Sequence, residues 1–207
     1  MSKPTFHKGL LAPRYWVTWL GFGTWWLLSQ LPYRLQMALG AVTGLAMGRI
    51  ASRRTQIAKR NIELCFAHLS EQEQARLLRE HLKSIGRGFF EMGMAWFMSP
   101  SRLDKLVTYE GLEHLEQAEQ EGTGVLLMGM HFTHLDLGAA FVSRKRSIDG
   151  SYRPHANLVY DLVQRTGRER HNPGNIAIER GDVRTMIRQL KKGRAIWYAP
   201  DQDYGAK

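Results

Sequence analysis

Gly124–Met130 reads GVLLMGM, and the six residues that follow, His131–Asp136, read HFTHLD. An unbroken apolar run of this length, closed by glycines, is the pattern of a strand buried on both faces, and Thr133 onward reads as a helix. Further along, Ser151–Arg153 can close a second short strand before a helix around Leu158–Gln164. Asp182 can cap a helix that ends near Gly193, and Ala195–Ala199 (AIWYA) is another strand. Strands alternating with capped helices imply an α/β fold, a mostly parallel sheet flanked by helices. In such sheets ligands bind beyond the carboxyl ends of the strands.

Upstream, Ser70 and Glu73 form a capping-box pattern. Leu77, Leu78, Leu82, Ile85, Phe89 and Phe90 then recur at helical spacing toward Pro100, with Met92, Met94, Trp96 and Phe97 extending the apolar side. Core packing is the first reading of that stripe, and a groove for a lipid chain is the second.

The N-terminal part has a different character. Residues 15–33 hold 19 positions without a charge, include Trp16, Trp19, Trp25 and Trp26, and lie between Arg14 and Arg34. That length and the interfacial preference of tryptophan predict a membrane-inserted or interfacial helix, against the alternative of a helix buried in a soluble domain. Gly40, Gly44 and Gly48 follow at intervals of four on one helix face, which permits close helix packing. Arg49, Arg53, Arg54, Lys59 and Arg60 would sit against anionic headgroups on the cytoplasmic side. The expected organisation is a membrane anchor with its basic juxtamembrane segment over 1–62 and a cytoplasmic domain over 63–207.

Charge along the 207 residues is uneven. The first acidic residue is Glu63, nine basic residues precede it, and Arg144–Arg194 carries thirteen basic residues against five acidic ones. The net charge of +10 suits anionic membranes or phosphorylated ligands. Nucleic acid is the weakest of the anionic partners this charge would suit and is not expected, because a long uncharged tryptophan-rich stretch interrupts the basic arm. The lone Cys65 cannot form an internal disulfide, which fits a reducing compartment, and the eight histidines stand at no zinc-finger spacing.

His131 and Asp136 are the candidate catalytic residues. With His131 in the turn after the strand and Asp136 in the first helical turn, the carboxylate could accept a hydrogen bond from one ring nitrogen and leave the other basic. Such a pair is a general base toward an attacking hydroxyl. Two alternatives stay open on the residues alone. Thr133–Asp136 also fits a capping box, and His134 is a rival base with poorer geometry.

Six blocks carry a resemblance to a known family: PRYWVTWLGFGTWWLLSQLPY (Pro13–Tyr33), RNIELCF (Arg60–Phe66), EMGMAWF (Glu91–Phe97), GMHFTHLDLGA (Gly129–Ala139), YRPHANLVYDLVQRTGRERHN (Tyr152–Asn172) and WYAPDQDYG (Trp197–Gly205). Together they closely resemble the bacterial late lipid A acyltransferases, the lauroyl and palmitoleoyl group. The resemblance implies an inner-membrane enzyme, its catalytic domain facing the cytoplasm. Its reaction would move a fatty acyl chain from acyl carrier protein to a 3-hydroxyacyl chain of a Kdo-bearing lipid A precursor. It implies the fold of glycerol-phosphate acyltransferases, whose H-x4-D/E dyad falls on His131 and Asp136. It also implies that the domain stops short of its C-terminal third.

No cofactor or metal is expected beyond the acyl carrier protein co-substrate, since deprotonating an alcohol beside a thioester needs a base and a stabilised oxyanion. Arg153, Arg168 and Arg170 stand in matching blocks and are the candidates to clasp phosphates or sugar acids through paired donors. The resemblance suggests that Asp201 and Asp203 help form the site by holding an arginine or the histidine, while Asp203 fits equally a turn-stabilising role. Two other classes remain open: a glycerolipid or lysophospholipid acyltransferase sharing the dyad, and a membrane-bound lipid-binding fragment without activity.

Overall fold

Charge-free residues 15–33 form no single helix. The computed structural model describes residues 5–201, and in it α1 spans Trp16–Ser29, 14 residues. At 1.5 Å per residue this is about 21 Å, well short of the roughly 30 Å hydrocarbon core of a bilayer. Pro32 lacks an N–H and disfavours a helical conformation at Leu31. The chain therefore turns and restarts as α2, Tyr33–Ile50, with Pro32 at its N-cap. Gln36 is fully buried under the turn, where its Nε2 donates to the carbonyls of Ser29 and Leu31 at 3.1 and 2.8 Å. No helix among the described residues is long and apolar enough to cross a membrane. The expected membrane-spanning helix is thereby corrected to two helices that pack on the rest of the chain.

A third helix, α3 (Ser52–Cys65), leads into α4 (Glu71–Phe97), which opens with the expected capping box: Glu73 N–H donates to Ser70 Oγ, and Ser70 N–H donates back to the Glu73 carboxylate. The glycine stripe of α2 lies directly on α4. A methyl group at Gly44 would collide with the Leu82 carbonyl oxygen, and one at Gly86 with the Gly40 carbonyl oxygen, so the two backbones touch. This is the close approach that glycines at i, i+4 allow.

Two short helices follow, α5 (Pro100–Leu103) and α6 (Leu112–Gln120). The remainder alternates β1 (Val125–Met128), α7 (Leu135–Ser143), β2 (Ile148–Tyr152), α8 (Leu158–Glu169), β3 (Ala177–Glu179), α9 (Val183–Leu190) and β4 (Ala195–Tyr198). The four strands form one parallel sheet in the order β1-β4-β2-β3. The α/β expectation therefore holds, with β2 ending at Tyr152 inside the stretch expected to close it and β3 not readable from the pattern at all. β1, however, is an edge strand whose Leu126 and Met128 are exposed, not the buried strand its apolar run suggests.

One apolar core joins the N-terminal segment to this layer. Leu10, Phe22 and Trp25 are buried with Met94, Trp96, Leu137 and Val159. Trp25 stacks on Phe89 with ring centroids 4.5 Å apart. The methionine and aromatic side of α4 is thus core. The opposite side of α1 is bare: Trp16, Val17 and Leu20 are 63%, 82% and 73% exposed.

Candidate active site

Because all four strands run parallel, His131 after β1, Arg153 after β2 and Asp201 after β4 emerge along one carboxyl-end edge. The turn bearing His131 is fastened to α4. Ser84 Oγ and Thr133 Oγ1 are 3.0 Å apart, and Gly88 leaves room for Thr133, whose Cβ a side chain at that position would strike. His134 is the N-cap residue of α7 and its side chain makes no capping bond. The capping box open to Thr133 and Asp136 does not form, since Thr133 is drawn to Ser84 and the Asp136 carboxylate to other partners.

Those partners come from α8 and α4. Asn157 caps α8 by accepting from Val159 and Tyr160 N–H groups, and its Nδ2 donates to Thr18 Oγ1 of α1 at 2.9 Å. Gly167 then lets α8 press on the Trp96 ring, which a Cβ there would overlap. The next residue, Arg168, consequently reaches Asp136. Its Nε donates to Oδ1 at 2.7 Å and its Nη2 to Oδ2 at 3.2 Å, and Trp96 Nε1 donates to Oδ1 at 3.3 Å. The carboxylate is 13% exposed and the guanidinium side chain 32%. A two-bond arginine–carboxylate pair of this kind is geometrically stiff. A cavity of about 100 Å³ lies beneath it, bounded by Trp96, Asp136, Ala139, Arg168, Ile176 and Trp197 among others.

The other members of the expected site separate into different environments. His131 is paired with Asp201 rather than with Asp136: its Nδ1 lies 2.7 Å from Asp201 Oδ1, and its backbone N–H donates to Oδ2 at 2.8 Å. These two bonds from His131 hold the Asp201 carboxyl below the usual aspartate range. Arg170 turns away and donates to the Met98 carbonyl at 2.9 Å, where it satisfies the C-terminal end of α4, and burial lowers its pKa. His171 beside it meets the Ala95 carbonyl at 2.6 Å. Arg153 is exposed just past β2. Asp203 lies outside the described residues.

Two further groups near the site were not singled out by spacing. Trp96 looked like core, and its ring is, but its Nε1 is committed to Asp136. Glu91, five residues before it on the same helix, is half-buried, and burial raises its carboxyl pKa, partly offset by His134 and Arg87. An acidic residue within the otherwise apolar run after Phe90 was the available signal for it. Among the described residues no group of three or more His, Cys, Asp or Glu is placed to hold a metal ion.

Residues 3–207 match the family model described as bacterial lipid A biosynthesis acyltransferase. The chain is 42% identical over 204 residues to the lipid A biosynthesis lauroyltransferase of Escherichia coli (strain K12), covering 99% of this chain and 66% of that protein. It is 41% identical over 202 residues to the palmitoleoyltransferase of the same organism, covering 98% and 65%. The E. coli myristoyltransferase is 26% identical over 203 residues, covering 98% and 62%. The chain thus spans about two thirds of the length of the curated relatives it matches.

Proposed function

The chain belongs to the bacterial lipid A biosynthesis acyltransferase family, and from that premise we propose that it transfers a fatty acyl chain from acyl carrier protein to a hydroxyacyl chain of a Kdo-bearing lipid A precursor. The observation that supports this best is the imidazole of His131 at the carboxyl-end edge of the sheet. One ring nitrogen is tied to Asp201, and Nε2 makes no hydrogen bond among the described residues. In the proposed reaction Nε2 takes the proton of the acceptor hydroxyl as its oxygen attacks the thioester carbonyl. The carbon–sulfur bond then breaks, and the same proton passes to the departing thiolate.

The acceptor carries phosphates and sugar acids, and an arginine is suited to bind these as a planar fork. Arg168 keeps Nη1 free of the Asp136 carboxylate, and Arg153 is exposed on the same edge. These two are the proposed anion contacts, while Arg170 is assigned to the end of α4. Acyl carrier protein is acidic, and the basic 144–194 segment would speed its encounter. Attachment to the inner membrane, with the site on the cytoplasmic side, is proposed to be interfacial. It would use the bare apolar residues of α1 and the arginines of 49–60, combining buried apolar area with attraction to anionic lipid.

Mass spectrometry of lipid A from cells with and without the gene tests the reading. The expected result is a species heavier by one acyl chain that depends on the gene. An unchanged lipid A profile, with a changed glycerophospholipid profile, would reassign the acceptor.

A further inference from the structure

The parallel pairing of β1 with β4 sets Val125 against Ala195, Leu126 against Ile196, Leu127 against Trp197 and Met128 against Tyr198. Gly129 N–H continues the ladder by donating to the Tyr198 carbonyl at 2.8 Å. The same offset carried past the strand ends brings His131 opposite Asp201, and there the ladder finishes in side-chain bonds. Asp201 Oδ2 accepts the His131 backbone N–H, which fixes the carboxylate's orientation and leaves Oδ1 facing Nδ1 at 2.7 Å. Asp136 makes no hydrogen bond to His131 among the described residues; its oxygens accept from Arg168, and one also from Trp96.

We infer that Asp201 is the positioning residue of His131, holding it in the neutral tautomer with the proton on Nδ1 and the lone pair on Nε2, while Asp136 serves Arg168. A carboxylate can only accept hydrogen bonds, and Asp201 is ionised across the physiological range, so the nitrogen facing it must be the donor. The catalytic value of this arrangement rests on the reading of His131 as the base; the arrangement itself does not. An imidazole free of such a partner divides its proton between the two nitrogens and turns about its side-chain bonds, so part of the population presents no base to the substrate.

Histidine-selective nitrogen NMR of the 207-residue protein at alkaline pH, with His131→Gln used to assign the signal, reads the tautomer directly and needs no turnover. The expected result is a single Nδ1–H pattern for His131 in the parent protein. It should collapse to a mixture in Asp201→Ala, return in part in Asp201→Glu, and survive in Asp136→Asn. Acyl transfer measured alongside should fall on the order of 10²–10⁴-fold in kcat for Asp201→Ala. A mixed tautomer in the parent protein, or collapse in Asp136→Asn with retention in Asp201→Ala, would overturn the inference. Should none of the proteins transfer an acyl chain while the tautomer pattern is as expected, the proposed reaction fails and the positioning stands.

Discussion

Asp136→Asn separates the two roles this carboxylate could have. The side chain accepts from Arg168 Nε at 2.7 Å, Arg168 Nη2 at 3.2 Å and Trp96 Nε1 at 3.3 Å. Asparagine keeps one oxygen, which can still meet Nε, but sets an NH₂ group against the N–H of Nη2. One charge-assisted bond is lost outright and the others become bonds to a neutral acceptor. A hydrogen bond to a charged group contributes roughly 1.5–3 kcal/mol. With Arg168 about a third exposed, water recovers part of this, which places the loss near the lower limit, about 1.5–2 kcal/mol. For a chain of this size each kcal/mol moves the midpoint of thermal unfolding by about 2–4 °C, so a fall of about 3–8 °C is expected by calorimetry. Because the guanidinium is no longer held, the apparent acceptor constant should rise about tenfold in transfer assays, and the donor constant should stay put. Combining Asp136→Asn with Arg168→Gln should add little to either single change, since the two share one interaction. Complete loss of turnover in Asp136→Asn with an unmoved melting temperature would refute the reasoning and return Asp136 to the partnership with His131.

Gly44→Ala should cost about 1–3 kcal/mol, because its methyl group meets the Leu82 backbone rather than a yielding side chain, whereas Gly23→Ala, with nothing within 4 Å, should be neutral or stabilising by up to about 1 kcal/mol; urea unfolding of both checks the α2–α4 contact. Burial raises the folded-state pKa of Glu91, so the folded protein holds this proton more tightly than the unfolded chain and loses stability as pH rises through that interval. Glu91→Gln is accordingly expected to raise the unfolding midpoint at neutral pH, with the gain vanishing as pH falls below the ordinary glutamate range, and equal midpoints at all pH values would contradict this. Replacing Trp16, Val17 and Leu20 together by serine should weaken co-sedimentation with anionic vesicles and leave the fold intact, since all three face away from the core. Undiminished co-sedimentation in low and high salt would place the attachment elsewhere.

Much of this molecule is legible in its linear pattern where the deciding interaction is local. Ser70 and Glu73 announce the start of α4 because a capping box closes within four residues. Gly40, Gly44 and Gly48 announce a close helix contact because they share one face. The apolar runs at 124–130 and 195–199 contain β1 and β4. The reading fails where the outcome depends on partners distant along the chain. Absence of charge made 15–33 look like one membrane element, yet Pro32 ends the helix, and Phe22 and Trp25 find a protein core to occupy. β3 has three residues, too few for any period to show.

The site divides along the same line. Residue types and spacing alone placed a histidine at the end of a parallel strand with acids and arginines on neighbouring segments. The position of that strand at the sheet edge, with Leu126 and Met128 exposed rather than buried, was decided by strand order. A histidine and an aspartate five residues apart suggest a pair, because spacing favours the nearest carboxylate, and family resemblance alone brought Asp201 into consideration without choosing between the histidine and an arginine as its partner. Which carboxylate the ring meets was decided by strand order. With β4 inserted next to β1, Asp201 arrives 70 residues later in register with His131, while the approach of α8 through Gly167 supplies Arg168 to Asp136. Both choices follow from packing between segments, where a hydrogen bond of 2.7 Å depends on the placement of whole elements that no local pattern records.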